Sequence, residues 1–203
     1  MKTQRGTTRL IRVLLVAALG ILAAFFAGSA VAASKEGAVV TLRHSSHGRK
    51  FERPKLRHGV LRIEGTKASD TIALRLKTGH PGILQVDVGD NGRADFSFKR
   101  RRVARIAVDG RAGNDLVRID ERNGVFTDTI PTRINGGNGN DTLLGGSGAE
   151  TLLGGAGNDV IDGNKGNDLA LLGKGDDTFV WDPGDGSDVV EGQDGLDTMR
   201  FNG

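Results

Sequence analysis

The chain has 203 residues, of which 32 are glycine, with 28 basic against 25 acidic side chains, no cysteine, no tyrosine and a single tryptophan. Glycine at about one residue in six, without the every-third-residue period of collagen, serves repeated turns; it excludes a coiled coil and a long membrane protein. The scarcity of aromatic residues argues for a thin, stacked aliphatic core, hence a solenoid rather than a sandwich, and the lack of cysteine removes disulfides as a staple.

The charge is unevenly distributed. Residues 33–133 carry 21 basic and 12 acidic side chains, whereas 134–203 carry 3 and 13. An acidic end of that density repels itself, so a compact fold there calls for a bound cation.

Residues 1–32 follow the plan of a secretory signal. Lys2, Arg5, Arg9 and Arg12 come without an acid, Val13 to Ala27 is almost wholly apolar, and Ala30-Val31-Ala32 supplies small residues for cleavage after Ala32. An apolar run of about fifteen residues falls short of the roughly twenty a bilayer span needs. We therefore expect a secreted, extracellular or cell-surface chain with no stable membrane span after cleavage.

Residues 33–58 are rich in Arg, Lys and His and have no clear apolar period, which reads as a basic flexible linker. Such an arm is a candidate contact for an anionic cell-envelope polymer; no specific nucleic-acid partner is implied. His44 and His47 have no Cys or third His nearby and make no metal site.

Residues 59–135 show short alternating runs, among them Leu61 and Ile63, Ile83 to Val88, Phe96 and Phe98, and Ile106 and Val108, which predict strands. Asn91-Gly92 marks a hairpin reversal. The basic run Lys99 to Arg102 reads as an edge-strand guard against association. Gly65-Thr66-Lys67-Ala68-Ser69-Asp70-Thr71-Ile72 and Gly110-Arg111-Ala112-Gly113-Asn114-Asp115-Leu116-Val117 share one layout and look like degraded repeats. This diverged β-rich portion is read as a cap or as degenerate repeats.

From Gly136 the layout becomes regular with a period of nine: Gly136-Gly137-Asn138-Gly139-Asn140-Asp141-Thr142-Leu143-Leu144, then units opening at Gly145, Gly154, Gly163 and Leu172. After Trp181-Asp182, read as a two-residue insertion, the register resumes at Pro183 and again at Gly192. The eighth position is apolar throughout: Leu143, Leu152, Ile161, Ala170, Phe179, Val190 and Met199.

Glycine at the first, second and fourth positions allows backbone conformations closed to residues with a Cβ and turns carbonyl oxygens toward one point. Aspartate at the sixth adds a hard anionic oxygen. Calcium takes six to eight such oxygens, so two neighbouring turns supply one site. One inward side chain per nine residues, at about 25 cal/mol per Å² buried, does not readily match about 1 to 2 kcal/mol of backbone entropy per residue, so metal binding is expected to help drive folding.

These units resemble the hemolysin-type calcium-binding repeats of the RTX family, whose motif is G-G-x-G-x-D-x-U-x with U a large apolar residue. The resemblance covers residues 136–200 and extends loosely to Gly110. It implies an all-β, right-handed parallel β-roll or β-solenoid, in which six residues turn and three form a short strand, and it implies Ca2+ as the bound ion. Alternate units would then stack on one edge, placing Asp141, Asp159 and Asp177 in one column and Glu150, Asp168 and Asp188 in another, with Asp197 near the end. Gly137, Gly139, Gly155, Gly157, Gly173 and Gly175 would shape the turns. The second edge departs from the pattern, because Glu150 replaces Asp and Asn164 replaces the second glycine; Leu172 also stands where its unit should open with glycine. About two to four ions are expected, the Asp141 edge filling first.

No catalytic pattern accompanies the repeats. H-E-x-x-H is absent, and Gly145-Gly146-Ser147-Gly148-Ala149, the nearest approach to a nucleophile elbow, lies within a turn and ends in alanine. The sequence therefore points away from an enzyme. It points to a secreted calcium-binding protein, with a structural or adhesive envelope protein as the alternative.

Overall fold

A computed structural model describes residues 21–26, 29–34 and 51–202. Most of the expected signal segment, and residues 35–50 of the expected linker, lie outside the described residues. Within 1–48, a unit to itself, β1 (Ile21–Phe26) and β2 (Ser29–Ser34) pair antiparallel. No helix among the described residues is long and apolar enough to cross a membrane.

The regular structure of the second unit is strand throughout, apart from one 3-10 turn. In chain order it comprises β3 (Lys55–Arg57), β4 (Val60–Glu64), β5 (Thr71–Lys77), β6 (His80–Val88) and β7 (Phe96–Lys99), then a 3-10 turn at Arg100–Arg102. There follow β8 (Arg105–Ala112), β9 (Leu116–Asp120), β10 (Thr132–Asn138), β11 (Thr142–Leu144), β12 (Thr151–Ala156) and β13 (Val160–Asp162). The last four are β14 (Leu169–Lys174), β15 (Thr178–Trp181), β16 (Val189–Asp194) and β17 (Thr198–Phe201).

From β8 on, successive strands alternate between two sheets. One sheet has the order β16-β14-β12-β10-β8-β4-β3, the other β17-β15-β13-β11-β9-β5-β6-β7. Pairing is parallel along both sheets from β4 and β5 onward, and antiparallel only where β3 folds on β4 and where β5, β6 and β7 form a meander. This is a parallel β-roll, as the resemblance to RTX repeats implies.

The register shows how much of the chain belongs to the roll. Leu152 stands beside Ala170 and Ile161 beside Phe179, two repeats apart, while the insertion after Trp181 lengthens the spacing in the pairs Ala170 to Val190 and Phe179 to Met199. Toward the amino terminus Ile134 pairs with Val108 and Leu143 with Val117, then Val108 with Ile63 and Val117 with Ile72. Residues 60–135 are thus windings of the same roll with chain inserted at its edges. One insertion carries the β6–β7 meander, whose reversal lies at residues 89–95 with Gly92 at φ +82°; the other is the loop 121–131. Residues 51–58, at the end of the segment read as linker, carry β3, and Phe51 stacks on Phe96 with ring centroids 6.5 Å apart.

The core is a double row of eighth-position side chains. Ile63, Val108, Ile134, Leu152 and Ala170 line one sheet, and Ile72, Val117, Leu143, Ile161 and Phe179 the other, all buried. The first position also points inward, since Gly136 and Gly154 sit two residues beyond Ile134 and Leu152 on the same strands. That explains Leu172. On β14 the large-then-glycine pair is exchanged for Ala170 followed by Leu172, which is 2% exposed within the core. Volume is kept while its position shifts by two residues.

Ile161→Ala should lower stability by about 2 to 5 kcal/mol through the cavity it leaves in so thin a core. Urea unfolding at saturating calcium will measure this, and a shift under about 0.5 kcal/mol would contradict the packing described.

Candidate metal centre

Six turns stack along one edge of the roll: residues 65–70, 110–115, 136–141, 154–159, 172–177 and 192–197. Each ends in aspartate, and the acids form a ladder. The backbone N–H of Asp70 donates to Oδ1 of Asp115, that of Asp115 to Asp141, that of Asp141 to Asp159 and that of Asp159 to Asp177, each at 2.7 Å; Asp177 donates to Asp197 at 3.1 Å.

A second ladder runs the opposite way one residue earlier. Asn114 Oδ1 accepts from Asn140 N–H, Asn140 from Asn158 and Asn158 from Asp176, at 2.9 to 3.0 Å, and Asp176 Oδ1 accepts from Leu196 N–H. Every turn in the middle of the stack is therefore tied in both directions by side-chain oxygens. Positive φ at Gly137 and Gly139, Gly155 and Gly157, and Gly173 and Gly175 sets this shape. Arg111 (φ +78°) and Gln193 (φ +74°) adopt it at the equivalent second position without being glycine.

The ladder uses one oxygen of each carboxylate and leaves the other without a partner. Asp115, Asp141, Asp159 and Asp177 are 1 to 2% exposed, and Oδ2 of each has no hydrogen bond. Among the described residues none of the four is paired with a basic side chain. An unpaired buried carboxylate is costly, and a hard cation is what such oxygens fit. Among the described residues no three His, Cys, Asp or Glu side chains converge on one point. The oxygens on offer are carboxylates of adjacent turns and the backbone carbonyls of the glycine-rich segments, a set that would suit calcium.

The second edge is built less regularly. Glu150 N–H donates to Asp168 Oδ1 at 2.7 Å and Asp168 N–H to Asp188 Oδ1 at 2.9 Å, with Asp168 Oδ2 and Asp188 Oδ2 unpartnered. Asn164, at φ +59°, takes the place of glycine and donates its side-chain amide to the Gly145 carbonyl at 3.1 Å. Glu150 reaches back to accept the Gly146 N–H at 2.7 Å, and neither Gly146 nor Gly148 has positive φ. The turn 145–150 thus differs from its neighbours at the two departures legible in its sequence and that of the next unit.

The sequence profile of the RTX calcium-binding nonapeptide repeat, in four copies, matches residues 133–149 and 144–179. These residues are RTX repeats, and RTX repeats bind Ca2+. No curated protein and no solved structure matches the chain.

The structure brings Asp141, Asp159, Asp177 and Asp197 into one column and Glu150, Asp168 and Asp188 into the other. It adds Asp115 to the first column, well outside the matched RTX repeats, and Asp70 at its head, where the half-buried carboxylate accepts the Thr66 N–H on Oδ2 at 2.6 Å and the backbone N–H donates to Asp115. The shared layout of the segments at Gly65 and Gly110 was the signal for both. Position five, which carries the second ladder, had its own signal in the recurring Asn114, Asn140, Asn158 and Asp176.

Burial, only partly offset by the ladder N–H groups, raises Asp115, Asp159 and Asp168 from the ordinary 3.8 to about 7 in the metal-free roll. These acids bind protons more tightly folded than unfolded, so their contribution to metal-free stability is full below about pH 4 and lost as pH rises through about 7. In EGTA the melting temperature should fall between pH 5 and pH 8. Calcium should reverse the slope, because it competes with those protons; a flat profile in both conditions would contradict the assignment.

Proposed function

We propose that this protein is a secreted calcium-binding module whose repeat region gains its compact form from the ion and acts through its surface rather than by catalysis. The observation that carries this reading is the row of buried aspartates with one bare oxygen each. Asp141, Asp159 and Asp177 hold ions between successive turns with carbonyls of the glycine-rich segments, Asp115 and Asp197 extend that column, and Asp168, Asp188 and Glu150 serve the opposite edge. Positively charged residues followed by an apolar run at 1–32 support export to a compartment where calcium is available. Inside the cell, where calcium is scarce, the acidic repeats repel one another and stay expanded; outside, metal affinity becomes folding free energy.

Circular dichroism of the full chain during a calcium titration tests the coupling. The expected outcome is a cooperative gain of β signal from an EGTA baseline, with the strongest loss of that response in Asp159→Ala, because Asp159 stands between Asp141 and Asp177, the two other column acids of the matched repeats. Full β signal in EGTA, unchanged by calcium, would overturn the reading.

A second reading, contact with an anionic envelope polymer, is favoured by the outer face of the first sheet. Arg57, Val60 and Arg105 lie in one row across β3, β4 and β8, and Arg62, Ala107 and Arg133 in the next across β4, β8 and β10. With strands about 4.8 Å apart, four exposed guanidinium groups surround two small apolar residues, and three of them, Arg62, Arg105 and Arg133, border a concavity of about 380 Å³ that Glu64 and Asp109 also line. None of the four is in an ion pair among the described residues. Charge of this density attracts polyanions in a salt-dependent way. Binding of the chain to immobilised polyphosphate should weaken at least tenfold on replacing Arg62, Arg105 and Arg133 with alanine, and should vanish in high salt; retention unaffected by either change would sink it.

A further inference from the structure

The second edge of the roll begins at a place the repeats do not reach. Between β9 and β10 the loop 121–131 stands in for a six-residue turn, and within it Thr127 takes the part of the turn's fourth residue. A Cβ on Gly148 would collide with the Thr127 carbonyl, just as one on Gly157 would collide with the carbonyl of Gly139. The Thr127 hydroxyl accepts from the N–H groups of Ser147 at 3.0 Å and Gly148 at 3.1 Å. Its single proton goes to Glu121 Oε1 at 3.1 Å.

Two glutamates meet around this threonine. Glu121 Oε1 also accepts the N–H groups of Phe126 at 2.7 Å and Thr127 at 2.9 Å, and Glu150 Oε2 accepts that of Gly146 at 2.7 Å. One oxygen of each is therefore occupied. The others, Glu121 Oε2 and Glu150 Oε1, are buried and accept no hydrogen bond of good geometry; the Ser147 hydroxyl lies close to Glu121, and the Thr127 hydroxyl and Gly148 N–H close to Glu150, without aligning on these oxygens. Glu150 is only 2% exposed, so its bare oxygen has no recourse to solvent. Burial raises Glu150, and the charge on Glu121 raises it further; the hydrogen bonds on Glu121 outweigh its own burial and hold it below the ordinary value, hence ionised. Neither acid is paired with a basic side chain among the described residues.

We propose that Glu121 Oε2 and Glu150 Oε1, gathered about Thr127, hold a calcium ion of their own, at a site that belongs to no pair of nonapeptide turns. The donors are oxygen alone, which selects a hard cation, and the carboxylate from the loop 121–131 supplies what a preceding repeat would have supplied. The ion ties the inserted loop to the first turn of the second edge and so closes that edge at its amino-terminal end. The site shares Glu150 with the second edge and is separate from the column of Asp141, Asp159 and Asp177.

The test compares the full chain with Glu121→Gln and Asp159→Ala by calcium calorimetry and Tb3+ luminescence. Glu121→Gln should bind one ion fewer and still gain its β signal with calcium. Asp159→Ala should lose ions from the column while retaining the one that Glu121 holds. An unchanged stoichiometry in Glu121→Gln would overturn the site and leave a shared proton as the link between the two acids, whatever the column does. Should the repeats bind nothing, Asp159→Ala would match wild type while Glu121→Gln still differed. If Glu121→Gln fails to fold, the infrared difference between calcium-saturated wild type and Glu150→Gln decides: a carboxylic-acid carbonyl band assigned to Glu150 refutes the proposal, and its absence supports it.

Discussion

A carboxylate that is shut away from water, with one oxygen bonded to a neighbour's amide and the other bare, is stable only beside a cation or with a proton. That constraint governs the whole repeat region. The side-chain ladder that stacks the turns also spaces the acids one strand apart, so the interaction that builds the edge creates the charge that needs neutralising. At low dielectric the repulsion between such neighbours is worth several kcal/mol, far more than one ladder hydrogen bond, at about 1 kcal/mol, returns. An ion shared between turns would convert the largest cost into the strongest link.

The two ladders give this edge a nearest-neighbour character. Asn140 reaches forward to the turn of Asn158, while Asp159 reaches back to the amide of Asp141, so each turn is fixed by the one before and the one after. Stability in such a stack is close to a sum of unit and interface terms, and order spreads from any formed pair. The hydrophobic rows add little selectivity of their own, because one large residue per unit tolerates exchange, as the compensated pair Ala170 and Leu172 illustrates.

Most of the roll was legible in the residues from 136 onward. Period nine with an apolar eighth position names the strands, and residues two units apart fall where the acids stack. The departures Glu150 and Asn164 also correspond to real differences in how their turns are built. What was hidden lay where the period is broken. Asp115 stands 26 residues before its partner Asp141, and Asp70 stands 45 before Asp115, so no fixed spacing announces them; only the layout around each glycine does. Glu121 carries no motif at all, since its role depends on a loop folding back to place Thr127 beneath Gly148. The strand at the end of the basic segment was hidden for a related reason: β3 is three residues long and is defined by its hairpin with β4, a partnership that composition does not register.

The uneven spacing of the stacked pairs bears on how such a scaffold diversifies. Lengthening the path between two neighbours from 18 to 45 residues raises the entropy of loop closure by only about 0.8 kcal/mol, within reach of a single added contact. New chain can therefore enter at the rims, as the β6–β7 meander has, while the faces, where every alternate side chain is enclosed, stay closed to it. A β-roll of this kind is a frame onto which foreign segments can be grafted at its bends, each arriving already anchored at both ends.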